Sequence, residues 1–298
     1  MRRIKLSKLA WASHRVFLTL FEEGFIVKTL YVSDLDATLL NSKAQITPET
    51  VRILNSLMDK GLLFTFATAR SAETALKVTE GLNRNVPIIV YTGTFVVDGR
   101  SRERIISNFM NASEVEAVVS AVEKFSLVPI VYSYIDGEEK FLYDPGIVSE
   151  NVAEFLTTRE GDKRNLSVSG GFEKTLKGDI FYFTFMEEYE KLLPVYEYLK
   201  SKCNCLFQPD NYTDNWFLEV MPKGATKAEA ALRLKEMLGA DKLVSFGDGI
   251  NDIKLFEVSG EAYAVSNCEK ALKAYATDII GSCDEDAVAK WLLENFAP

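Results

Sequence analysis

The chain has 298 residues, 47% hydrophobic and 26% charged, enough apolar content for one large core or two moderate ones. Its 43 acidic against 34 basic residues leave a net charge of -9. That charge repels polyphosphate backbones and no Lys/Arg run is interleaved with aromatics, so nucleic acid is not expected as a partner. The single histidine, His14, excludes Ser-His-Asp and Cys-His catalysis and multi-histidine zinc sites, leaving acid and base work to carboxylates.

Residues 1–27 form a lead. Arg2, Arg3, Lys5 and Lys8 precede Leu9-Ala10-Trp11 as in a signal peptide, but His14 and Arg15 interrupt the apolar run, so neither export nor a membrane span is expected. Val16 with Leu20, and Phe17 with Phe21, stand at i, i+4 spacing, which allows a short amphipathic helix; a poorly ordered lead is the alternative. From residue 28 strands and helices alternate. An apolar strand over 29–33 is followed by a helix opened by Thr47-Pro48-Glu49, with Val51, Leu54, Leu57 and Met58 as its buried stripe and Gly61 as its stop. A second strand over 62–67 leads through Thr68-Ala69-Arg70-Ser71 into a helix closing at Gly81, and a third strand covers 86–91. This repeated βα unit predicts a parallel sheet, and right-handed crossovers bring the strand ends near Asp34 and Thr68 to one edge.

Between residues 97 and 220 the pattern changes. A helix over 113–125 precedes strands over 128–134 and 140–143, joined by the hairpin signal Asp136-Gly137. A helix from Ser149, a polar loop over 160–171, a strand over 180–186, a helix over 187–201 and strands over 203–208 and 216–221 complete an α+β insert with an antiparallel sheet. Tyr132, Tyr134, Tyr182 and Trp216 are its aromatic candidates for ligand contact, although alternating aromatics in strands more often pack a core. The parallel pattern resumes with a helix from Lys227 to Leu238, a strand over 242–246, the turn Gly247 to Asp252, short strands over 262–265 and 278–280, and a final helix over 285–296. The expected organisation is a discontinuous core, 28–96 with 221–298, interrupted by the insert 97–220. Cys203 and Cys205 stand two apart while Cys268 and Cys283 stand alone. That pattern fits neither a zinc site nor a disulfide framework and suits a reducing cytoplasm.

Chemistry-bearing residues gather at the strand ends. Asp34 and Asp36 follow the first strand, where open α/β sheets bind ligands, and a carboxylate there is partly desolvated unless a cation meets it. Magnesium, which prefers carboxylate oxygens, would be such a partner. Gly247-Asp248-Gly249 is not a dinucleotide fingerprint, because the third glycine is replaced by Asp252 and acids repel a pyrophosphate. Instead Asp248 and Asp252, four apart around a turn entering a helix, can face one point together with Asp34. The Thr68 hydroxyl can bind a phosphate oxygen and the Lys227 ammonium can neutralise a transferring phosphoryl group. Taken singly, each of these is equally an ordinary cap, turn or solvated charge.

The order Asp-x-Asp-x-Thr, Thr68, Lys227 and Gly-Asp-x-x-Asn-Asp resembles the four motifs of the haloacid dehalogenase-like superfamily. The insert and the phrase Phe217-Leu218-Glu219-Val220-Met221-Pro222-Lys223-Gly224 resemble its Cof-like members of subclass IIB. The resemblance covers residues 28 to 298 and implies an α/β, Rossmann-like parallel-sheet core with an inserted α+β cap domain. It implies a Mg²⁺-dependent phosphatase acting on small phosphorylated metabolites, sugar phosphates foremost. Asp34 is then the nucleophile that forms an aspartyl-phosphate and Asp36 the acid/base. Thr68 binds phosphate, Lys227 holds nucleophile and phosphate together, and Asn251 is the polar residue on the substrate side. Asp248 and Asp252 hold the metal with the Asp34 carboxylate and the Asp36 backbone carbonyl. Members of this group usually carry Gly at the positions of Ala37 and Ala69, and Asn-Gly-Ala where this chain has Thr92-Gly93-Thr94. A positive φ at Ala37 would cost about 1 kcal/mol or more. A phosphomutase of the same superfamily and a non-catalytic phosphometabolite sensor are the alternatives, while a P-type pump is excluded by the lack of an apolar run of about 20 residues. The expected partner is a small phosphate ester, bound by a monomer or weak homo-oligomer away from membranes.

Overall fold

A computed structural model describes residues 27–209 and 215–298, so the expected N-terminal helix or lead lies outside the described residues. The chain enters through β1 (Thr29–Ser33) and α1 (Pro48–Met58). Helix α1 starts as its capping residues dictate, with the Thr47 hydroxyl accepting from the Thr50 N–H and proline at the first turn. Its buried stripe is Ile53, Leu54, Leu57 and Met58, with Val51 only half-buried. Then come β2 (Leu63–Phe66), α2 (Ala72–Val78) and β3 (Ile88–Val90), followed by β4 (Phe95–Val97) and β5 (Arg104–Ser107). The insert comprises α3 (Ala112–Phe125), β6 (Ile130–Ile135), β7 (Glu138–Tyr143), α4 (Glu150–Thr157), β8 (Asn165–Ser167), β9 (Asp179–Glu187), α5 (Tyr189–Leu199), β10 (Asn204–Pro209) and β11 (Trp216–Met221). The chain finishes with α6 (Lys227–Met237), β12 (Lys242–Gly247), α7 (Ile253–Val258), β13 (Glu261–Val265), β14 (Asp278–Ile280) and α8 (Ala287–Asn295).

The expected α/β core is present. Five strands in the order β14-β13-β12-β1-β2 run parallel, and β3 joins their edge through a parallel bridge from Ala67 to Ile89. Strands β1 and β12 are neighbours with Ser33 opposite Phe246, so their C-terminal ends, which carry Asp34 and Gly247-Asp248, emerge side by side. The Asp34 N–H continues the ladder to the Phe246 carbonyl at 2.9 Å. One difference from the sequence reading lies in residues 95–107. Strands β4 and β5 form an antiparallel hairpin on β3, so pairing with a core strand runs on through Ser107, past the change of pattern at 97.

The insert is a six-stranded sheet in the order β10-β11-β9-β6-β7-β8, antiparallel except for β7 with β8. The Asp136-Gly137 turn that joins β6 to β7 has φ of 51° and 84°, the left-handed pair of a two-residue hairpin. The polar loop expected over 160–171 contains β8, whose three residues lack any apolar alternation of their own. Helices α3 and α5 pack on one face against Phe183, Phe185, Leu218 and Val220. Helix α4 covers the other face through Val152 and Leu156 on Ile130, Phe141 and Met186. The buried Glu114 carboxylate ties the two crossings between core and insert, accepting from the Asn111 and Lys223 N–H groups at 2.8 Å each. Among the described residues no helix is long and apolar enough to cross a membrane.

Candidate active site

Three acids meet above the ends of β1 and β12. One oxygen from each of Asp34, Asp248 and Asp252 can be chosen so that all lie within 4.8 Å of one another. Lys227, the first residue of α6, is 2% exposed, and its Nζ stands 2.9 Å from Asp34 Oδ1 and 2.7 Å from Asp252 Oδ1. The turn after β12 is fitted around Asp252, whose Oδ2 accepts from the Asp248 and Gly249 N–H groups at 3.1 and 3.2 Å. A Cβ at Gly247 would stand 2.5 Å from that oxygen, so only glycine fits there. The Thr38 hydroxyl donates to Asp248 Oδ1 at 2.8 Å.

The charges are unbalanced, because three buried or half-buried carboxylates face one ammonium. Burial pushes the Asp34 carboxyl well above its ordinary value, only partly offset by Lys227, while Asp252 and Asp248 push it further. Asp248 is raised to about 6, first by burial and then by Asp252. Lys227 is raised despite its burial, because Asp252 and Asp34 favour its charged form. An all-oxygen donor set with surplus negative charge fits a hard divalent cation such as Mg²⁺.

The structure thus brings Asp34, Lys227, Asp248 and Asp252 together. Thr68 lies one strand over, fully buried, with its hydroxyl accepting from the Arg70 N–H at 3.1 Å and its carbonyl accepting from the Thr92 N–H at 2.9 Å. The Asp36 side chain is outside the acidic cluster. It is half-exposed and pairs with Arg70, at 2.9 Å from Nε and 2.5 Å from Nη2. Asn251 is half-buried in the turn between Asp248 and Asp252. The sequence reading passed over two of these contacts, those of Thr38 and Arg70. Each could have been found from position, since Thr38 follows Asp36 by two residues and Arg70 is the one cation in the segment leaving the second strand.

Two loops carry backbone strain beside the site. Ala37 has φ 52°, the left-handed conformation for which glycine would be better suited. Tyr91 and Thr92 follow β3 with φ of 49° and 55°. Gly93, at φ 95°, lies so close to the start of α6 that a Cβ would stand 2.1 Å from the Thr226 carbonyl oxygen. This approach seats the helix end that carries Lys227.

A cavity of about 770 Å³ opens beside Asp36. Asp36, Ala37 and Arg70 form its core side, Phe155 and Arg159 come from the α4 region, and Met186, Gln208 and Phe217 come from the insert sheet. Of the aromatics singled out in the sequence, Tyr132 and Tyr182 pack on Tyr91, Tyr134 stacks on Arg104 and Trp216 packs on Tyr189 and Phe207. The aromatic cavity walls are Phe155 and Phe217 instead.

Comparison with known proteins agrees with this architecture. A family model described as haloacid dehalogenase-like hydrolase matches residues 31–292. A 5-amino-6-(5-phospho-D-ribitylamino)uracil phosphatase of Bacillus subtilis is 22% identical over 273 residues, covering 90% of this chain and 97% of its own. The solved structure of a haloacid dehalogenase-like hydrolase from Bacteroides thetaiotaomicron superposes with TM-score 0.70 at 23% identity, over 90% of this chain and 100% of that one. That of a subclass IIB sugar phosphatase gives TM-score 0.66 at 22% identity, over 90% and 98%.

Proposed function

The chain belongs to the haloacid dehalogenase-like hydrolases, and on that footing we propose that it is a Mg²⁺-dependent phosphatase of small phosphorylated metabolites. Sugar phosphates are the foremost class, and hydrolysis runs through an aspartyl-phosphate on Asp34. The observation that carries this reading is Lys227 lodged between Asp34 and Asp252. A buried carboxylate beside a fixed ammonium and a cluster of oxygen donors is a nucleophile prepared for an anionic electrophile. The substrate class draws on the relatives, one acting on a phosphorylated ribitylaminouracil and one structural neighbour being a sugar phosphatase.

Asp34, Asp248 and Asp252, with the Asp36 backbone carbonyl, would hold the ion, which when bound polarises phosphoryl oxygens and offsets the repulsion between two anions. Thr68 and Asn251 hold the phosphoryl oxygens and Lys227 neutralises the charge that develops on them. The Asp34 carboxylate attacks phosphorus, the bond to the leaving oxygen breaks, and Asp36 supplies that oxygen with a proton. Asp36 then takes a proton from water, whose oxygen attacks phosphorus and releases inorganic phosphate and free Asp34. The position of Asp36 on the cavity wall supports this role, and its pairing with Arg70 fixes where the carboxylate waits. The insert acts as the cap that encloses the leaving group. Four free cysteines support a reducing cytoplasmic setting.

The test is a panel of sugar phosphates, nucleotides and cofactor phosphates incubated with Mg²⁺. Release of inorganic phosphate from members of the panel, abolished by EDTA, is expected. A panel left intact overturns the reading.

A further inference from the structure

Two arginines follow α4, and carboxylates match only one of them. Arg164 holds Glu139 and Asp162 at 2.7 Å each, and Glu73 of the core reaches it at 3.8 Å. Arg159 is half-buried, and its contacts among the described residues are with the Thr158 hydroxyl, which accepts from Nη1, and with the Phe155 ring, whose centroid is 3.6 Å from Cζ. Neither contact carries a negative charge. Burial lowers the Arg159 guanidinium from its ordinary value; Tyr132 works against this and Arg164 repels it further, with Asp162 as a weaker counterweight.

The charge faces the substrate cavity. Arg159 lines it together with Phe155 and Phe217, whose rings pack edge to face with centroids 5.9 Å apart, so the guanidinium lies on a fixed aromatic stack. Asp36 and Arg70 form the core side of the same cavity and are paired with each other. Glu154, the other acid of the lining, is exposed. A half-buried guanidinium with no carboxylate in reach carries a desolvation cost that nothing in the wall offsets. A hydroxyl would accept one of its hydrogen bonds and leave the charge unmatched, whereas a carboxylate or phosphate matches both the charge and the planar fork of donors.

We infer that Arg159 is a specificity-determining residue that takes a second anionic group of the substrate, a carboxylate or a further phosphate, at the end away from the phosphoryl group being transferred. This rests on the phosphatase reading and narrows its substrate to doubly anionic metabolites. The cavity, at about 770 Å³, lies within the range of roughly 300–1,000 Å³ usual for sites that enclose a small molecule.

The experiment measures kcat/KM in Mg²⁺ for two matched pairs of esters. One pair is 6-phosphogluconate, which ends in a carboxylate, against glucose 6-phosphate, and the other is fructose 1,6-bisphosphate against fructose 6-phosphate. The ratio within a pair cancels any loss of folded enzyme in a variant. Wild type is expected to favour the doubly anionic member by about tenfold or more in at least one pair, and the pair that shows it identifies the second anion as carboxylate or phosphate. Arg159→Met keeps an apolar stem on Phe155 and is expected to lower that ratio by about tenfold or more, chiefly through KM, while Arg159→Lys restores part of it. Wild-type ratios near one in both pairs, or a ratio within twofold of wild type in Arg159→Met, would overturn the inference. If no ester releases phosphate, 4-nitrophenyl phosphate included, the phosphatase reading fails by itself. Wherever the four sugar esters are not turned over, calorimetric binding of the same compounds decides the inference. Tighter binding of a doubly anionic member, lost in Arg159→Met, is then expected, and equal binding within both pairs overturns it.

Discussion

At the scale of single residues the site is a contest between burial and charge. Asp34 and Asp248 both hold protons more tightly than an ordinary aspartate, because desolvation and repulsion from Asp252 outweigh Lys227. A carboxyl raised in this way binds its proton better folded than unfolded. Its contribution favours the folded state below the unfolded value of 3.8 and is lost as pH climbs through the folded value, about 6 for Asp248. The metal-free protein should therefore lose stability between pH 4 and pH 7. Mg²⁺ has to displace those protons at low pH but not above the folded values, so it should raise the melting temperature more at pH 7.5 than at pH 5. Equal shifts at the two pH values would contradict this account of the charges. These acids were legible in the sequence, because each sits beside a strand end or a helix start. The pairing of Asp36 with Arg70 was not, since it joins residues from two different strand ends.

At the scale of elements, the turn after β3 links the start of α6, which carries Lys227, to the sheet. Thr92 occupies a left-handed conformation that asparagine adopts with less strain, which is the physical content of the departure at this position. Gly93 admits no side chain against the Thr226 carbonyl. Gly93→Ala should therefore displace the start of α6, lower stability by about 2 kcal/mol or more and reduce phosphate release. Urea unfolding and a turnover assay check both effects, and a variant with wild-type stability would show that α6 is not seated this way. The positive φ that sequence reasoning costed at Ala37 is present at 52°. Elements with their own caps or turn residues, α1 and the β6–β7 hairpin among them, could be read directly. Strands β4, β5 and β8 could not, because they are three or four residues long and exist only through pairing with distant partners.

At the scale of the whole molecule, the core and the cap are one packed body with two crossings. One buried cluster contains Phe66 and Phe246 from the core together with Phe181 and Tyr182 from the cap, and the Tyr91 hydroxyl donates across the junction to Glu139 at 2.6 Å. Glu114 fixes both crossings, so Glu114→Ala should leave two backbone donors unpaired and lower stability by about 1–3 kcal/mol, measurable by urea unfolding. An unchanged midpoint would show that the crossings are held by packing alone. The division into parallel core and antiparallel insert was visible because the hydrophobic pattern itself changes. The cavity between them was not visible, since among the described residues its walls come from six separate stretches of chain. The account as a whole depends on Asp34 as the nucleophile, and phosphate release by Asp34→Asn in saturating Mg²⁺ tests it most directly. The amide removes an anion from a crowded cluster, so the variant should stay folded with an undiminished melting temperature. It should lose turnover of 4-nitrophenyl phosphate by on the order of 10³-fold or more. Turnover close to that of the wild type would contradict the account.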